Sequence, residues 1–179
     1  MQICESDRLV LRQLQLADVS ALTDMLSDPE VMKYSVRGVC DEAATREFLA
    51  WCFACYESQG VGPWALIDRQ SHELIGFCGV GPEQVDGVEE MNLGYRLARR
   101  FWSKGLASEA ARAVLKHVFD EGLFNSVVVI IEPEHVASLR VAEKAGFASY
   151  KTLEFHGRPV RLYRLTLEQW AKQPSATCL

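Results

Sequence analysis

Hydrophobic positions along the chain follow two periods, which predict strands and helices in alternation. Period-two or continuous apolar runs predict strands over 8–14, 64–68, 73–80, 88–97, 127–131, 149–155 and 161–166. Apolar residues three and four positions apart predict helices over 18–27, 41–57, 106–122 and 136–145. We expect Asp41 to cap the second helix and Gly146 to end the last one. The chain shows neither a repeat nor a linker, so we predict one mixed α/β domain.

The connections between these elements favour a largely antiparallel sheet. Short polar segments at 69–72 and 156–159 predict two hairpins, and 81–87 is predicted to be a loop. The run at 127–131 is apolar throughout, as in a strand buried on both faces. The helix before it is therefore predicted to cross over between two parallel strands.

Small residues between the strand at 88–97 and the next helix predict an anion cradle, by which we mean residues 103–108. Backbone N–H groups at a helix start bind anions when no bulky side chain intervenes. Nearby cations are predicted to assist; these are Arg96, Arg99, Arg100 and Lys104. A diphosphate-bearing ligand is the first interpretation, and an ordinary tight turn is the alternative.

Two other phosphate motifs do not fit. A P-loop requires Gly-Lys-Ser/Thr, but Lys104 precedes Gly105 here. The sequence Gly79-Val80-Gly81 lacks the third glycine of a dinucleotide fingerprint. Nucleotide hydrolysis and dinucleotide binding are therefore not expected.

Composition excludes several classes of function. The chain has 179 residues, 49% of them hydrophobic, and no apolar run approaches the roughly 20 residues of a membrane span. No secretory signal is recognised at the start, so a cytoplasmic protein is expected. With 19 basic and 24 acidic residues, the chain lacks the charge of a nucleic-acid binder.

The cysteines are predicted to be reduced. Six are scattered along the chain, and the Cys52–Cys55 pair lies within helical apolar periodicity. No second pair of ligands completes a zinc site. We expect a core role for this pair and no metal.

Three segments resemble the GCN5-related N-acetyltransferases (GNAT), in particular the branch of ribosomal-protein alanine and serine N-terminal acetyltransferases. They are Asp28-Pro29-Glu30-Val31-Met32, Gly94-Tyr95 with Trp102 to Ala110, and Ala137 to Phe147. The resemblance implies a domain over 1–170, and residues 171–179 are expected to fray, as the last residues of a domain commonly do. It also implies a mixed, mostly antiparallel sheet of about six or seven strands, with helices on both faces and a splay between the fourth and fifth strands. A homodimer through edge strands is a further family-level expectation.

The resemblance implies acetyl-CoA as co-substrate, with its pyrophosphate on the anion cradle and its pantetheine arm along residues 95–97. His135 stands where the family usually has an Asn that contacts pantetheine, and capping of the following helix is its alternative role. The residues implied in CoA binding are Tyr95, Arg96, Leu97, Trp102, Ser103, Lys104, Gly105, Leu106, Ala107, Ser108, His135, Ser138 and Lys144.

Catalytic roles are assigned on the strand at 88–97. By the period of two, Glu90, Asn92 and Arg96 share one face. Asn92 occupies the position where this branch often has a Glu, and an amide cannot act as a base. We therefore predict that Glu90 is the base, acting through a water, or helps to hold the amine. Asn92 is predicted to position a water or the substrate. The alternative for Glu90 is an ordinary strand residue that faces solvent. The resemblance implies that Ser138 protonates or hydrogen-bonds the departing thiolate, and a local bond to the backbone early in the helix is its alternative role.

The acceptor is expected near the segment 32–37 and the hairpin at 156–161, with Tyr34 and Trp64 as candidate pocket residues or core residues. The predicted reaction is direct acetyl transfer to a primary amine, with a protein N-terminus slightly favoured. One alternative acceptor is a small amine such as an amino acid, polyamine or antibiotic. The other alternative is a catalytically degenerate CoA-binding module.

Overall fold

The computed structural model describes residues 1–174, and its centre is an eight-stranded sheet in the order β1-β2-β3-β4-β5-β6-β8-β7. The strands are β1 Gln2–Glu5, β2 Leu9–Gln13, β3 Pro63–Asp68, β4 Leu74–Val85, β5 Val88–Leu97, β6 Ser126–Ile131, β7 Tyr150–Phe155 and β8 Arg158–Thr166. The helices are α1 Val19–Leu26, α2 Glu42–Gln59, α3 Leu106–Asp120, α4 Val136–Ala145 and α5 Leu167–Ala171. The α/β class and the interleaved order are as predicted, with one strand more than expected.

Strands β5 and β6 form the one parallel pair of this sheet, and they barely pair. Their register holds a single Cα pair, Asn92 with Val128, whereas β4 and β5 are in register from Gly76–Leu97 to Val85–Val88. The two strands therefore separate beyond Asn92, which confirms the predicted splay. We call this opening the splay.

Helices cover both faces of the sheet, as predicted. On one face α3 and α4 pack on a core that includes Trp64 and Leu93, and on the other α1 and α2 pack on one that includes Phe77. Both cores use the alternation of the strands, because neighbouring residues face opposite sides. Successive residues of β5 therefore face two different environments.

Residues 81–87 are mostly strand, so the predicted loop is wrong there. Strand β4 continues to Val85, and the connection to β5 is the dipeptide Asp86-Gly87, with φ of 49° and 78°. Asp-Gly is a preferred pair for a tight hairpin turn, since both positions take positive φ. The longer strand places Glu83 opposite Glu90.

The ends of the chain add elements that the apolar pattern did not predict, namely β1 and α5. Ala171 ends α5, and the Gln173 side chain donates to the Ala145 carbonyl at 3.5 Å. Residues 175–179 of the predicted frayed tail lie outside the described residues. Across 1–174, no helix is both long and apolar enough to cross a bilayer. Cys52 and Cys55 are buried free thiols on α2, as predicted.

Candidate active site

The anion cradle between β5 and α3 carries a row of unpaired backbone donors. Within residues 1–174, the amides of residues 103–108 find no hydrogen-bond acceptor, and the first bond of α3 runs from Glu109 N–H to the Gly105 carbonyl at 3.1 Å. Gly105 has φ of 76° and Ser103 has φ of 60°. Glycine adopts this region freely, whereas serine there stores strain of the kind found at ligand sites. Anion binding at these unpaired amides stays a prediction.

A polar cluster behind the cradle fixes its shape. The Glu109 carboxylate accepts from the Arg8 backbone N–H at 2.8 Å, from Arg8 Nε at 2.7 Å and from the Ser6 hydroxyl at 2.7 Å. Arg8 Nη1 also donates to the Lys104 carbonyl at 2.8 Å. These bonds tie the cradle to the start of β2, so its donors are held in place before a ligand arrives.

Most of the cations that were predicted to assist the cradle are engaged elsewhere. The Arg99 guanidinium pairs with Asp28, and Arg100 Nη2 lies 3.3 Å from Glu73 Oε1. Arg96 extends to the opposite face of the sheet, because it alternates with Tyr95 and Leu97 along β5. Lys104, which belongs to the cradle segment, has no carboxylate partner within 1–174, and its ammonium lies over the Phe101 ring, 5.5 Å from the centroid.

The splay brings together two hydroxyl groups that the sequence assigned to the CoA site. Tyr95 Oη donates to the Ser138 carbonyl at 2.8 Å, and Ser138 Oγ donates to Tyr95 Oη at 2.9 Å. Burial raises the pKa of the Tyr95 phenol, which therefore stays protonated at neutral pH. Nearby, the Trp102 indole donates to the Leu97 carbonyl at 2.9 Å and anchors the cradle to β5.

His135 and Tyr34 join the segment after α1 to the start of α4. Their rings stack with centroids 4.2 Å apart, and the Tyr34 hydroxyl donates to the Glu134 carbonyl at 3.3 Å. His135 is the N-cap residue of α4, and its carbonyl accepts from the Leu139 N–H at 3.1 Å, but its side chain makes no cap bond. Burial, and then the charge of Arg96, lower the pKa of His135 and keep the imidazole neutral. Lys144 lies exposed in the last turn of α4.

A cavity of about 460 Å³ opens on the face of the sheet opposite α3. Gly79, Gly81 and Gly94 form its floor, from β4 and β5. A Cβ on Gly94 would meet no atom within 4 Å, which shows that this position opens into free space. The Trp51 ring lies over Gly81 and the Gly62 backbone lies against Gly79, so a ligand can approach β5 at Gly94. We call this space the acceptor cavity.

The walls of the acceptor cavity combine aromatic rings with a few polar groups. Phe48 packs on Phe77 with centroids 4.9 Å apart, and Trp51 lies next to Phe48. Met32, Ser35 and Arg37 also line the cavity, so the predicted segment 32–37 does reach it. The charged and amide groups in its lining are Arg37, Glu83, Asn92 and Arg96.

Asn92 presents an unused acceptor. Its Oδ1 atom is buried and receives no hydrogen bond from residues 1–174. An unsatisfied buried polar atom costs about 1–3 kcal/mol, so such atoms commonly mark a place for a ligand or water. An N–H donor bound in the cavity would satisfy it, which agrees with the predicted role of Asn92 in positioning.

Glu83 and Glu90 face each other across β4 and β5, but their environments differ. Arg164 holds Glu90 through two bonds, of 2.6 and 2.9 Å, and this contact lowers the pKa of Glu90. Glu83 has no such partner within 1–174; burial raises its pKa, against a smaller opposing contribution from His156. A carboxyl with a raised pKa in a cavity is the better proton acceptor near neutral pH.

Sequence reasoning missed Glu83 because it read residues 81–87 as a loop. The Asp86-Gly87 pair was the available signal: it predicts a two-residue turn and extends β4 to Glu83.

Trp64 is a second difference. Its side chain is fully buried, edge-on to His117 of α3 at 5.4 Å, so the structure assigns it to the core and not to the acceptor pocket.

Taken together, a splayed sheet, an anion cradle at a helix start and a cavity across the sheet define an acyl-CoA-dependent transferase. The family model described as "Acetyltransferase (GNAT) domain" matches residues 8–148. The chain belongs to this family.

Individual proteins and solved structures are similar to this chain over most of its length. YkkB of Bacillus subtilis, an uncharacterized protein, is 38% identical over 159 residues, covering 88% of this chain and 92% of YkkB. A GNAT-family acetyltransferase structure from Bacillus anthracis superposes with a TM-score of 0.76 at 29% identity, covering 94% and 99% of the two chains. The ribosomal L7/L12 acetyltransferase RimL in complex with coenzyme A shares the fold, with a TM-score of 0.79 at 18% identity and coverage of 94% and 99%.

Within residues 1–174, no three His, Cys, Asp or Glu side chains are grouped to hold a metal ion. Independence from metal stays a prediction.

Proposed function

We propose that this acetyltransferase moves the acetyl group of acetyl-CoA directly to a primary amine bound in the acceptor cavity. The observation that carries the proposal is the orphaned Oδ1 of Asn92. It is buried where β5 and β6 separate, in the wall of a cavity that meets the splay. A primary amine supplies the N–H donor that this atom lacks.

The proposed transfer requires a proton acceptor on the amine side. Asn92 accepts one N–H of the amine and so orients its nitrogen, while Glu83 takes up the proton, directly or through a water. Glu90 is bound by Arg164, and we assign it the supporting role of linking β5 to β8 across the intervening strand β6. This assignment replaces Glu90 by Glu83 as the preferred base.

The proton for the departing thiolate is proposed to come from the other face of β5. Tyr95 and Ser138 both lie at the splay, and both of their hydroxyl hydrogens are used within the pair. One hydroxyl must therefore turn away from its partner when the thiolate forms, and the oxygen that gives up its proton regains one from solvent while Glu83 releases the amine proton to solvent. Hydroxyl rotation is a small motion that needs no rearrangement of the backbone.

Donor binding is proposed to use the free amides of residues 103–108 for the pyrophosphate, with Lys104 as the adjacent cation. The backbone of β5 beyond Asn92 has no β6 partner in the described register, so it is free to pair with the pantetheine arm. His135 and Lys144 stay in this proposal as contacts of the cofactor from α4. Tyr34 contributes by stacking on His135.

The test measures CoA release from acetyl-CoA over a broad panel of amines, together with calorimetric binding of acetyl-CoA. Gly94→Ala and Gly94→Val fill the cavity floor in two steps, and each clashes with nothing in the protein within 4 Å of the new Cβ. We expect graded loss of amine turnover with acetyl-CoA binding retained. Full turnover in Gly94→Val contradicts the assignment of the cavity.

A catalytically degenerate CoA-binding module is the second candidate, because Asn92 stands where this branch has a Glu. Binding of acetyl-CoA without release for any amine would favour the module over the enzyme.

A further inference from the structure

Trp51 presents an uncovered indole ring in the lining of the acceptor cavity. The residue is 40% exposed, yet its ring reaches the cavity floor, where a Cβ on Gly81 would lie 2.9 Å from it. Apolar surface is stabilised when it is removed from water, so a ligand with an apolar group gains by covering this ring. Single exposed apolar residues are common on proteins, and the position of this one therefore decides its meaning.

The strand register places the Trp51 ring beside the proposed amine site. Gly81 is the cross-strand partner of Asn92, and Glu83 is the next residue of β4 on the same face. Directly opposite residues of antiparallel strands lie about 5 Å apart, and diagonal neighbours lie about 7–8 Å apart. The indole ring, the orphaned Oδ1 of Asn92 and the Glu83 carboxyl are therefore within reach of one small molecule.

Gly94 leaves open space next to this group of residues. It follows Asn92 on the cavity face of β5, about 7 Å along the strand. A Cβ at Gly94 would meet no atom within 4 Å, so the space above it can hold a ring of a ligand. An apolar group placed there lies only a short linker away from a nitrogen bound at Asn92.

The aromatic wall runs along the whole of this space. Trp51 reaches Gly81, at the level of Asn92, while Phe77 is the cross-strand partner of Arg96. Phe48 contacts both aromatic residues, with ring centroids 6.1 Å from Trp51 and 4.9 Å from Phe77. A flat apolar group over the open floor therefore has aromatic neighbours at both of its ends.

Arg96 gives the far end of the same space a positive charge. Its hydrogen bond runs from Nη1 to the Val31 carbonyl at 2.7 Å, and no carboxylate among residues 1–174 pairs with it. A guanidinium stacks favourably on aromatic rings and repels other cations. This end of the cavity therefore suits an aromatic ring and disfavours a second ammonium group.

We propose that the acceptor is a small monoamine in which a short linker of about two carbons joins the primary amine to an aromatic ring. This inference rests on the proposed function. The nitrogen donates to Asn92 Oδ1 near Glu83, and the ring lies over Gly94 against the aromatic wall. The hydrogen bond takes up about 3 Å of the roughly 7 Å between Asn92 and Gly94, and the linker spans the rest.

The test compares phenethylamine with propylamine and putrescine, by kcat/KM for CoA release from acetyl-CoA. Propylamine keeps the amine and lacks the ring, and putrescine replaces the ring by a second ammonium. We expect phenethylamine to exceed propylamine by about 10–100-fold, as burial of a phenyl-sized group provides, and to exceed putrescine by more. Equal values for phenethylamine and propylamine overturn the proposal. A peptide with N-terminal alanine or serine that exceeds phenethylamine also overturns it.

Two variants of α2 separate recognition from structure. Trp51→Ala is expected to bring the ratio of phenethylamine to propylamine close to one. Phe53→Ala is the matched control: it removes a partly buried ring that packs on Tyr56 at 6.3 Å, outside the cavity lining, and should keep the ratio. If Trp51 only supports the fold, Trp51→Ala lowers the melting temperature and leaves the ratio unchanged, which overturns the proposal.

Tryptophan fluorescence gives a second measurement, one that requires no turnover. Phenethylamine is titrated into the enzyme saturated with CoA, which has no acetyl group to transfer. We expect a saturable change of emission that is absent in Trp51→Phe and much weaker with propylamine. An emission that does not respond to phenethylamine overturns the proposal.

The two measurements distinguish this inference from the proposed function. Turnover of all primary amines at equal rates leaves the acetyltransferase standing and removes only the preference for a ring. A saturable, ring-dependent change of emission without CoA release for any amine supports the aromatic site and removes the proposed transfer. Neither release nor a change of emission removes both.

Discussion

Glu83→Gln separates the base assigned from the structure from the one predicted from the sequence. Gln keeps the size and shape of Glu83 and removes its negative charge, so the cavity keeps its form. A positioned general base contributes about 10²–10⁴-fold to the rate. At 1.36 kcal/mol for each factor of ten, this range equals about 3–5 kcal/mol of transition-state stabilisation. We expect the lower part of the range if a water relays the proton.

The pH dependence of kcat/KM tests whether Glu83 accepts the proton. Glu83 must be ionised to accept a proton, and burial raises its pKa, so kcat/KM rises with pH through a value above that of an ordinary glutamate. In Glu83→Gln this acid limb disappears. Glu83 has the opposite effect on stability: because its pKa is raised in the folded state, its contribution to the free energy of unfolding falls as pH rises through that pKa. The Gln variant is therefore at least as stable as the parent at neutral pH.

Glu90→Gln is the matched control, since Glu90 faces Glu83 across the strands. It removes the charged partner of Arg164 from a pair that is partly exposed, so we expect a loss of about 1 kcal/mol in the free energy of unfolding. The pKa of Glu90 is lowered, so its stabilisation is present above the ordinary glutamate range and is lost as pH falls through the lowered value. The pH profile of kcat/KM keeps its acid limb. An unchanged kcat/KM in Glu83→Gln, or loss of the acid limb of the pH profile in Glu90→Gln, refutes the assignment of Glu83 as the base.

Three further predictions concern the cofactor side and the core. Gly105→Ala forces a side chain into a φ of 76°, so we expect a loss of roughly 1 kcal/mol in stability and weaker acetyl-CoA binding in calorimetry. Tyr95→Phe and Ser138→Ala each break the hydroxyl pair. We expect each variant to lower the single-turnover rate about 10²-fold and to keep the affinity for acetyl-CoA. Because the two hydroxyls act together, the double variant should have a rate only slightly below that of either single variant. Trp64→Ala empties a fully buried site and should cost about 3–5 kcal/mol in denaturant unfolding, whereas a pocket residue would change KM with little loss of stability.

The fold was predictable where local pattern and burial agree. Helix α4 has the predicted bounds and ends at Gly146 with φ of 106°, and β5 spans the predicted residues 88–97. The apolar pattern failed at β1, a four-residue edge strand whose side chains are exposed or half-buried. Its stability comes from pairing with β2, which is a tertiary property. The apolar pattern also missed the distal half of β4, because the apolar run ends before the strand does.

The unpaired amides of residues 103–108 were predictable because they belong to the backbone of a short segment of small residues. The local sequence predicts small residues and a positive φ at Gly105. It does not predict the direction of a side chain or its partners, and Arg99 and Arg100 were therefore expected at the cradle. Their partners Asp28 and Glu73 are distant in sequence, by 71 and 27 residues.

The alternation of β5 explains how one strand can serve both halves of the reaction. Tyr95 turns toward α4 and meets Ser138, on the side assigned to the thiolate. Asn92, Gly94 and Arg96 turn the other way and line the acceptor cavity. Because the register of β5 and β6 holds only the pair Asn92–Val128, the proposed reaction takes the acetyl group from one side to the other near this residue. Under the proposed function, selection among acceptors then depends on the cavity-facing residues of β5, of which Arg96 carries a charge.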